Sequence, residues 1–345
     1  MTSPIITALM TTFNSAAYVK ETIDSILRQT FTNFEFLILD DGSTDDTIEI
    51  IKSYADKRIR LVEYKENRGV GYRLSQALSL IGDTRYIAKV DSDDISTEDR
   101  FQLQYDFLQE NSHIAAVKSY VDYFADTEEL STSERFSFFK NKKEAELNSI
   151  NTAELIDQQL RRWLCFLHTT YMAHTSIVRK VGYPESRMYE DYSLFYRMLM
   201  QGYKFGCVCK PLVKVRITDS STTMTRTENY LDMGISVIVD FKFFQIKELL
   251  RKKRLFIFGS GQLARSLCRV LQQNGIVVEA MLDRRLGDSL VLESGLVVPV
   301  QLVTDAMPDK SEASIIIAAQ PVRAEICDLM EKLGWQEWQD FMVIA

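Results

Sequence analysis

Three aspartates at the end of a short apolar run are the residues with the clearest potential for chemistry. Ile87–Val90 is typical of a buried strand, and Asp91, Ser92, Asp93 and Asp94 follow it directly. Because alternate residues of an extended chain share a face, Asp91 and Asp93 can point to the same place. Clustered carboxylates repel one another unless a cation or hydrogen-bond donors compensate, and Mg²⁺ or Mn²⁺ would do so through oxygen ligands. A solvated turn is the alternative, since Asp and Ser also favour turns.

The sequence around these aspartates alternates predicted strands with predicted helices, which indicates βαβ units and a mostly parallel sheet. The predicted strands are 5–13, 34–41, 59–64 and 87–90. Ligands bind such sheets at the carboxyl ends of the strands. Three polar groups lie at those ends: Thr11–Asn14, Asp40–Asp41 and Asp91–Asp94. We therefore expect them to converge on one crevice.

Beyond residue 100 the alternation is looser. Helices are predicted at 97–110, 152–164, 175–181 and 190–201, and strands at 114–119, 204–209 and 212–216. The stretch 125–150 is polar and irregular. The sequence leaves open whether it is a loop over the site or a surface insertion.

Six runs in the first 225 residues together resemble the family 2 glycosyltransferases of the GT-A fold. In chain order they are MTTFN (10–14), LDDGSTDDT (39–47), NRGVG (67–71), VDSDD (90–94), YEDYSLFYRM (189–198) with the downstream Gly202, and VRITDSSTT (215–223). One run alone would be a weak match, but their order and spacing make the resemblance specific. It implies transfer of a sugar from a nucleoside diphosphate, with UDP preferred, to an acceptor hydroxyl with inversion.

The resemblance also implies roles for the strand-end residues. Asp93 is expected to ligate Mn²⁺ or Mg²⁺, and Asp91 to contact the ribose or assist at the metal. Asp41 is expected to accept the uracil N3–H group. Thr11 and Phe13 would line the base pocket, with the aromatic ring as one wall. A cation there would neutralise the developing charge of the diphosphate leaving group.

Three further positions follow from the same resemblance, with one departure. Arg68 or Arg73 is expected to reach the diphosphate, although each could equally be an exposed helix-end charge. Arg216 is assigned to substrate binding. Many family members have a His two residues after the position of Arg216, where this sequence has Thr218. A hydroxyl is a weak metal ligand, so a third protein ligand is left open and water could take its place.

Glu190 and Asp191 begin a predicted helix. Its apolar residues recur at helical spacing: Leu194, Phe195, Met198 and Leu199. Carboxylates favour helix N-termini in any case, which is the purely structural interpretation. The resemblance instead favours Asp191 as the general base that takes the proton of the attacking hydroxyl. It places Glu190 in the substrate site and His168 on its acceptor side.

The last third of the chain predicts a long helix and a second α/β domain. The helical linker, 226–254, is apolar on more than one face and ends in RKKR, so it could pack between domains or subunits or lie on an anionic membrane. A strand, a Gly259-x-Gly261-x-x-Ala264 turn and a helix then precede a strand that ends in Asp283. This pattern is a dinucleotide-type fingerprint.

The predicted fold class is α/β: a Rossmann-like, nucleotide-sugar-binding GT-A domain (1–225), a helical linker (226–254) and a small C-terminal Rossmann-like domain (255–345). The last domain is too short for a complete dehydrogenase. A structural or ligand-sensing role is therefore favoured over the alternative, an NAD(P)-dependent oxidoreductase. A non-catalytic nucleotide-sugar-binding module is a third hypothesis, against which the set of Asp91, Asp93 and Asp191 argues.

Composition narrows the partners. The chain is 46% hydrophobic and 26% charged with a net charge of −7, so nucleic acid is not an expected partner. Its five cysteines predict no disulfide framework. Neither a signal peptide nor a membrane-spanning run is evident. We expect a cytoplasmic enzyme of bacterial surface polysaccharide or glycan synthesis, with a UDP-sugar donor and a glycan or lipid-linked acceptor. Peripheral association with the inner face of the membrane and homo-oligomerisation stay open.

Overall fold

A computed structural model describes residues 3–218, 228–251, 254–285, 287–303 and 307–345. The chain divides into two compact units, Met1–Met224 and Thr225–Ala345. Each unit has its own sheet. The last five residues of the run VRITDSSTT, 219–223, lie outside the described residues.

The first unit alternates strands and helices through its first hundred residues. Its strands are β1 (Ile6–Thr12), β2 (Phe34–Asp40), β3 (Ile59–Glu63), β4 (Tyr86–Asp91), β5 (Ile95–Ser96), β6 (Ile114–Ala125), β7 (Met172–His174) and β8 (Lys204–Ile217). Its α-helices are α1 (Val19–Leu27), α2 (Thr47–Lys52), α3 (Val70–Leu80), α4 (Arg100–Glu110), α5 (Glu128–Ser131), α6 (Glu134–Ser137), α7 (Glu144–Ser149), α8 (Ala153–Arg162), α9 (Thr175–Val181) and α10 (Glu190–Met200). A π-helical turn spans Phe138–Lys143, and a 3₁₀ turn spans His168–Thr170.

These eight described strands form one sheet in the order β3-β2-β1-β4-β7-β6-β8-β5. The strands β1 to β4 run parallel to one another, as the βαβ pattern predicts. β7 lies antiparallel between β4 and β6. β1 and β2 are buried along almost their whole length because helices cover both faces of the sheet, which explains their continuous apolar sequence.

Two local expectations were wrong. The polar stretch 125–150 is mostly helical, with Thr127 and Ser133 capping α5 and α6 and with Leu130 and Leu147 buried. Each helix there is too short to show a periodic pattern in the sequence. The two predicted strands 204–209 and 212–216 are a single strand, β8, which shifts its register against β6 near Pro211.

The second unit contains the long helix and a second sheet. Its helices are α11 (Glu228–Leu249), α12 (Gln262–Gln273) and α13 (Arg323–Lys332), with a 3₁₀ turn at Gln320–Val322. Its strands are β9 (Arg254–Phe258), β10 (Val278–Asp283), β11 (Leu290–Val291), β12 (Val297–Val298), β13 (Val300–Leu302), β14 (Ala313–Ile317) and β15 (Phe341–Val343). Five of these described strands form a parallel sheet in the order β13-β10-β9-β14-β15. This sheet is the predicted second α/β region.

The long helix packs within the second unit. Arg269 of α12 forms a salt bridge with Asp232 of α11 at 2.7 Å. The buried Lys242 donates hydrogen bonds to the carbonyls of Val343 and Ile344. The predicted linker and the predicted C-terminal domain thus share one compact unit. None of the helices in the described ranges is long and apolar enough to cross a bilayer.

The glycine turn of the second unit follows β9 directly. Gly259 has a φ of +117°, a conformation that favours glycine. Ser260 Oγ donates to Asp283 Oδ2 at 2.6 Å, and the amide of Arg285 donates to Asp283 Oδ1 at 3.2 Å. Two donors of the protein thus already bind the Asp283 carboxylate, at the position where the fingerprint predicts a ribose contact. The oxidoreductase hypothesis stays an untested prediction.

Candidate active site

The polar residues at the ends of three strands are neighbours. The strand register pairs Thr11 of β1 with Asp91 of β4, and Thr12 of β1 with Asp40 of β2. This confirms the predicted convergence of the three strand ends. Thr11 is half-buried, while the ring of Phe13, just beyond β1, is 44% exposed. An exposed ring at this point can face a ligand.

The turn after β4 holds three carboxylates in different environments. Asp91 Oδ1 accepts a hydrogen bond from the fully buried Lys89 Nζ at 2.5 Å. Asp94 is buried, and its Oδ1 accepts from the amide of Arg216 at 2.9 Å. Burial and the nearby charge of Asp91 raise the pKa of Asp93 to about 6. An added cation would therefore favour the ionised form of Asp93.

These residues fit a divalent cation that takes only part of its ligands from the protein. In the part of the chain that the structure describes, no three His, Cys, Asp or Glu side chains cluster so as to hold a metal ion by themselves. Mg²⁺ sites commonly use one or two carboxylates together with substrate phosphates and water. Asp93 with its raised pKa, beside Asp91, is a donor set of this size.

Arg216 lies against the aspartate turn. Its Nε donates to the Asp93 carbonyl at 3.0 Å and its Nη1 to Asp126 Oδ1 at 3.1 Å, while Nη2 pairs with Glu21. The guanidinium is also 4.7 Å from the ring centroid of Tyr18. These contacts hold the Arg216 side chain against the turn, and its expected contact with the substrate stays a prediction.

Thr218, which stands where many family members have a metal-binding His, is packed within the protein. Thr218 is buried, and its carbonyl accepts a hydrogen bond from Arg135 Nη1 at 2.8 Å. Asp94, whose pKa burial raises well above its ordinary value, lies near the same strand end. The structure therefore adds no support for Thr218 as a third protein ligand of the metal.

Asp41, at the end of β2, accepts three hydrogen bonds. Its Oδ1 accepts from the amide of Arg68 at 3.0 Å and from Arg73 Nε at 2.5 Å, and its Oδ2 accepts from the amide of Gly69 at 2.7 Å. The side chain of Arg73 is only 3% exposed and is bound within the protein. Arg68 is exposed, with its guanidinium 3.6 Å from the ring centroid of Tyr72. Of the two arginines, Arg68 is the one with a guanidinium that solvent can reach.

Glu190 and Asp191 form the first turn of α10, close to His168. His168 Nδ1 lies 3.5 Å from Glu190 Oε1, and its Nε2 lies 3.3 Å from the hydroxyl of Tyr183. Burial and the charge of Glu190 raise the pKa of Asp191 to about 7, with a smaller raising contribution from Asp91. The segment His168–Tyr171 links this site to the aspartate turn, since the amide of Lys89 in β4 donates to the Tyr171 carbonyl at 3.2 Å. A carboxylate that titrates near neutral pH suits general-base catalysis.

Two buried cations beneath the aspartates were not predicted. Lys89 is fully buried beside Asp91, and Arg100 Nη2 donates to the Lys89 carbonyl at 2.8 Å. The charges of Asp91 and Asp94 act on Arg100, whose pKa burial lowers to about 10. Lys89 could have been found from the sequence, because it is a charged residue in an otherwise apolar predicted strand, two positions before Asp91. Arg100, inside a predicted helix, gave no such signal.

Comparison with known proteins adds the family. The model of Glycosyl transferase family 2 matches residues 7–182. An uncharacterised glycosyltransferase of Methanocaldococcus jannaschii is 31% identical over 231 residues, which are 66% of this chain and 75% of that protein. A Bacillus subtilis protein, TuaG, named as a glycosyltransferase of teichuronic acid biosynthesis, is 34% identical over 111 residues, 32% of this chain and 44% of TuaG.

A solved structure shares the fold. Mannosyltransferase PcManGT from Pyrobaculum calidifontis, in complex with GDP-Man and Mn²⁺, superposes with a TM-score of 0.52 at 17% identity. The superposition covers 71% of this chain and 65% of that chain, slightly less than two thirds of it. At this identity the likeness shows the fold alone, and it confirms the predicted GT-A architecture.

Proposed function

The chain belongs to glycosyl transferase family 2, and from this premise we propose that it transfers a sugar from a UDP-sugar to an acceptor hydroxyl with inversion at the anomeric carbon. One observation carries the proposal: the segment His168–Tyr171 connects the two carboxylate sites, because the amide of Lys89 in β4 donates to the Tyr171 carbonyl at 3.2 Å and His168 Nδ1 lies 3.5 Å from Glu190 Oε1 at the start of α10. Inversion by single displacement needs a base for the acceptor and charge stabilisation for the leaving group. The two carboxylate sites would supply these separately.

The end of β2 is the proposed nucleoside pocket. Three hydrogen bonds fix the Asp41 carboxylate, two to Oδ1 and one to Oδ2, and leave one acceptor site on Oδ2 for a base N–H group. Arg73 holds Asp41 in place, so its role is to position the acceptor of the base N–H. Phe13 and Thr11 would line the base, and the exposed Arg68 would approach the diphosphate.

Asp93 is the proposed protein ligand of Mn²⁺ or Mg²⁺. When bound, the cation would supply charge stabilisation for the departing diphosphate. Lys89 already neutralises Asp91 through its hydrogen bond at 2.5 Å. Asp91 is thereby suited to accept hydrogen bonds from neutral ribose hydroxyls, and Asp93 keeps its charge for the cation.

For the acceptor we propose only a chemical class. The match to a protein named for teichuronic acid biosynthesis supports a role in bacterial surface polysaccharide or glycan synthesis. We therefore propose a glycan or a lipid-linked glycan as the acceptor. Such an acceptor would be met in the cytoplasm or at the inner face of the cell membrane.

A screen of nucleotide-sugars tests the proposal. Purified protein with Mn²⁺ would be incubated with UDP-, GDP-, dTDP- and CMP-sugars, and release of the free nucleotide would be measured. Release from a UDP-sugar alone is the expected result. Release from only a GDP-sugar would overturn the base assignment at Asp41. Binding of UDP-sugars without release, in the presence of candidate acceptors, would favour the non-catalytic binding module.

The rate should depend on pH through Asp191. A base must be unprotonated, and Asp191 has a pKa raised to about 7, so kcat should fall about tenfold per pH unit below pH 7 and level off above it. The charged and titratable groups that face Asp191 are Glu190, His168, Asp91, Tyr171 and Tyr183. Saturating Mg²⁺ during the measurement keeps Asp93 ionised. A kcat that stays constant from pH 5.5 to 8.5 would show that Asp191 is not the base, since those limits span about 1.5 pH units on either side of 7.

A further inference from the structure

We propose that Arg187 is a positioning residue for the general base. Together with the run NRGVG, 67–71, it fixes the segment 184–189 from which α10 and Asp191 start. The proposal rests on the proposed function, because it assigns Asp191 as the base. It gives the NRGVG run a role that nucleotide recognition at Asp41 does not explain.

Arg187 joins two segments that are far apart in sequence. Its Nη1 donates to Asn67 Oδ1 at 2.8 Å and its Nη2 donates to the Asn67 carbonyl at 2.7 Å. Both bonds end on one residue, 120 positions away, just before α3. The amide of Gly71 adds a third connection, a hydrogen bond to the Ser186 carbonyl at 3.2 Å. A planar guanidinium with two bonds to one partner fixes direction as well as distance.

Glycines allow the two segments to touch. A Cβ at Gly69 would lie 2.7 Å from Arg187 Cγ. A Cβ at Gly71 would lie 2.3 Å from the Ser186 carbonyl oxygen and 2.5 Å from that of Pro184. Gly71 is helical, so this contact alone requires glycine there. The start of α3 therefore packs directly on the backbone of 184–186.

The segment 184–189 ends in an unfavourable backbone conformation. Tyr189 has a φ of +53°, in the left-handed region that non-glycine residues rarely adopt. Such conformations persist only where the surroundings determine them. Ser186 Oγ donates to the Met188 carbonyl at 2.9 Å, so the segment is braced from within as well as by Arg187. Glu190 and Asp191 follow directly, and their positions depend on this turn.

Loss of the two hydrogen bonds from Arg187 to Asn67 should affect the position of Asp191 more than the binding of the nucleoside. Asp41 receives bonds from Arg73 Nε and the Gly69 amide, neither of which is a hydrogen-bond partner of Arg187. Its third donor, the Arg68 amide, belongs to the same peptide group as the Asn67 carbonyl that Arg187 binds. Removing the guanidinium leaves the bonds from Arg73 and Gly69 to hold the Asp41 carboxylate. It frees the segment that leads into Asp191, so turnover should fall while donor affinity is retained.

Arg187→Met is the test, with Arg179→Met as its matched control. Arg179 is also exposed and binds backbone carbonyls at the other end of α3, including Gly82 at 3.1 Å. We expect Arg187→Met to lower kcat about 10- to 100-fold, as misplacement of a reacting group does. The dissociation constant of UDP should change less than about twofold, because Arg73 and the Gly69 amide still hold Asp41. Equal kcat in the two variants, or a parallel loss of UDP affinity and kcat in Arg187→Met, would overturn the proposal.

A second pair of variants and a second readout separate this proposal from the proposed function. Gly71→Ala, which introduces the clash with Ser186, should loosen the same segment, whereas Gly82→Ala meets no atom within 4 Å and should not. Amide hydrogen exchange in 186–193 should be faster in Arg187→Met and Gly71→Ala than in either control. If the wild type released nucleotide from no sugar donor, the proposed function would fail, and exchange would still decide whether Arg187 fixes the start of α10. Unchanged exchange in Arg187→Met would show that it does not.

Discussion

Asp93→Asn should abolish sugar transfer and leave the fold intact. The amide has the shape of the carboxylate but no charge, so the proposed cation would lose its protein ligand. Charge stabilisation of a leaving diphosphate is worth several kcal/mol, and we expect a loss of about 10³-fold or more in kcat. Because burial and Asp91 already oppose the charge of Asp93, its removal should not lower the melting temperature at pH 8. Nucleotide release against free Mn²⁺ measures the first effect, and thermal unfolding measures the second.

Chelation and a neighbouring carboxylate serve as controls. EDTA should reproduce the Asp93→Asn phenotype in the wild type, and added Mn²⁺ should restore the wild type but not the variant. Asp99→Asn removes a carboxylate that pairs with Lys210 at 2.5 Å at the start of α4, and it should keep full activity. Full activity of the wild type in thoroughly chelated buffer would contradict metal dependence.

Asp191→Asn should lower kcat about 10²- to 10⁴-fold, the usual contribution of a general base. A base acts only as the acceptor attacks, so it stabilises the transition state and adds little to donor binding. The dissociation constant of UDP should therefore barely change. Turnover and UDP affinity would be measured on one preparation, with Glu185→Gln, an exposed carboxylate of the preceding segment, as the control.

The stability of the same variant distinguishes a base from a helix-start charge. Asp191 has a folded-state pKa of about 7, above its ordinary value of 3.8, so the unfolded chain releases this proton first as pH rises. Its contribution to stability is therefore lost between about pH 4 and pH 7. Asn carries no such penalty, and Asp191→Asn should melt no lower than the wild type at pH 8. A variant that melts lower but turns over normally would remove Asp191 from the mechanism.

The local parts of the site could be predicted from the sequence because they depend on short-range patterns. Alternating strands and helices, with polar residues after β1, β2 and β4, fix which residues reach one edge of a parallel sheet. The observed sheet pairs Thr11 with Asp91, so the two predicted strand ends do lie side by side. The GT-A fold and the family were predictable for the same reason, since six runs kept their order and spacing.

Short-range patterns missed the helices of 125–150, because each has only one or two turns. Such patterns also do not predict which side chains from distant parts of the chain contact each other. Arg216 meets Asp93 across 123 positions, and Arg187 meets Asn67 across 120. Whether an arginine faces a ligand or another part of the protein depends on which elements pack beside it.

By itself, the sequence determined which carboxylates could act and which strand ends would hold them. The tertiary structure decided the pKa values of these carboxylates and the residues that hydrogen-bond to them. Lys89 pairs with Asp91, Arg73 holds Asp41, and burial beside Glu190 raises the pKa of Asp191 to about 7. The physical reason is that pKa values and hydrogen-bond partners depend on desolvation and on charges within a few ångströms, which only the packing of distant segments sets.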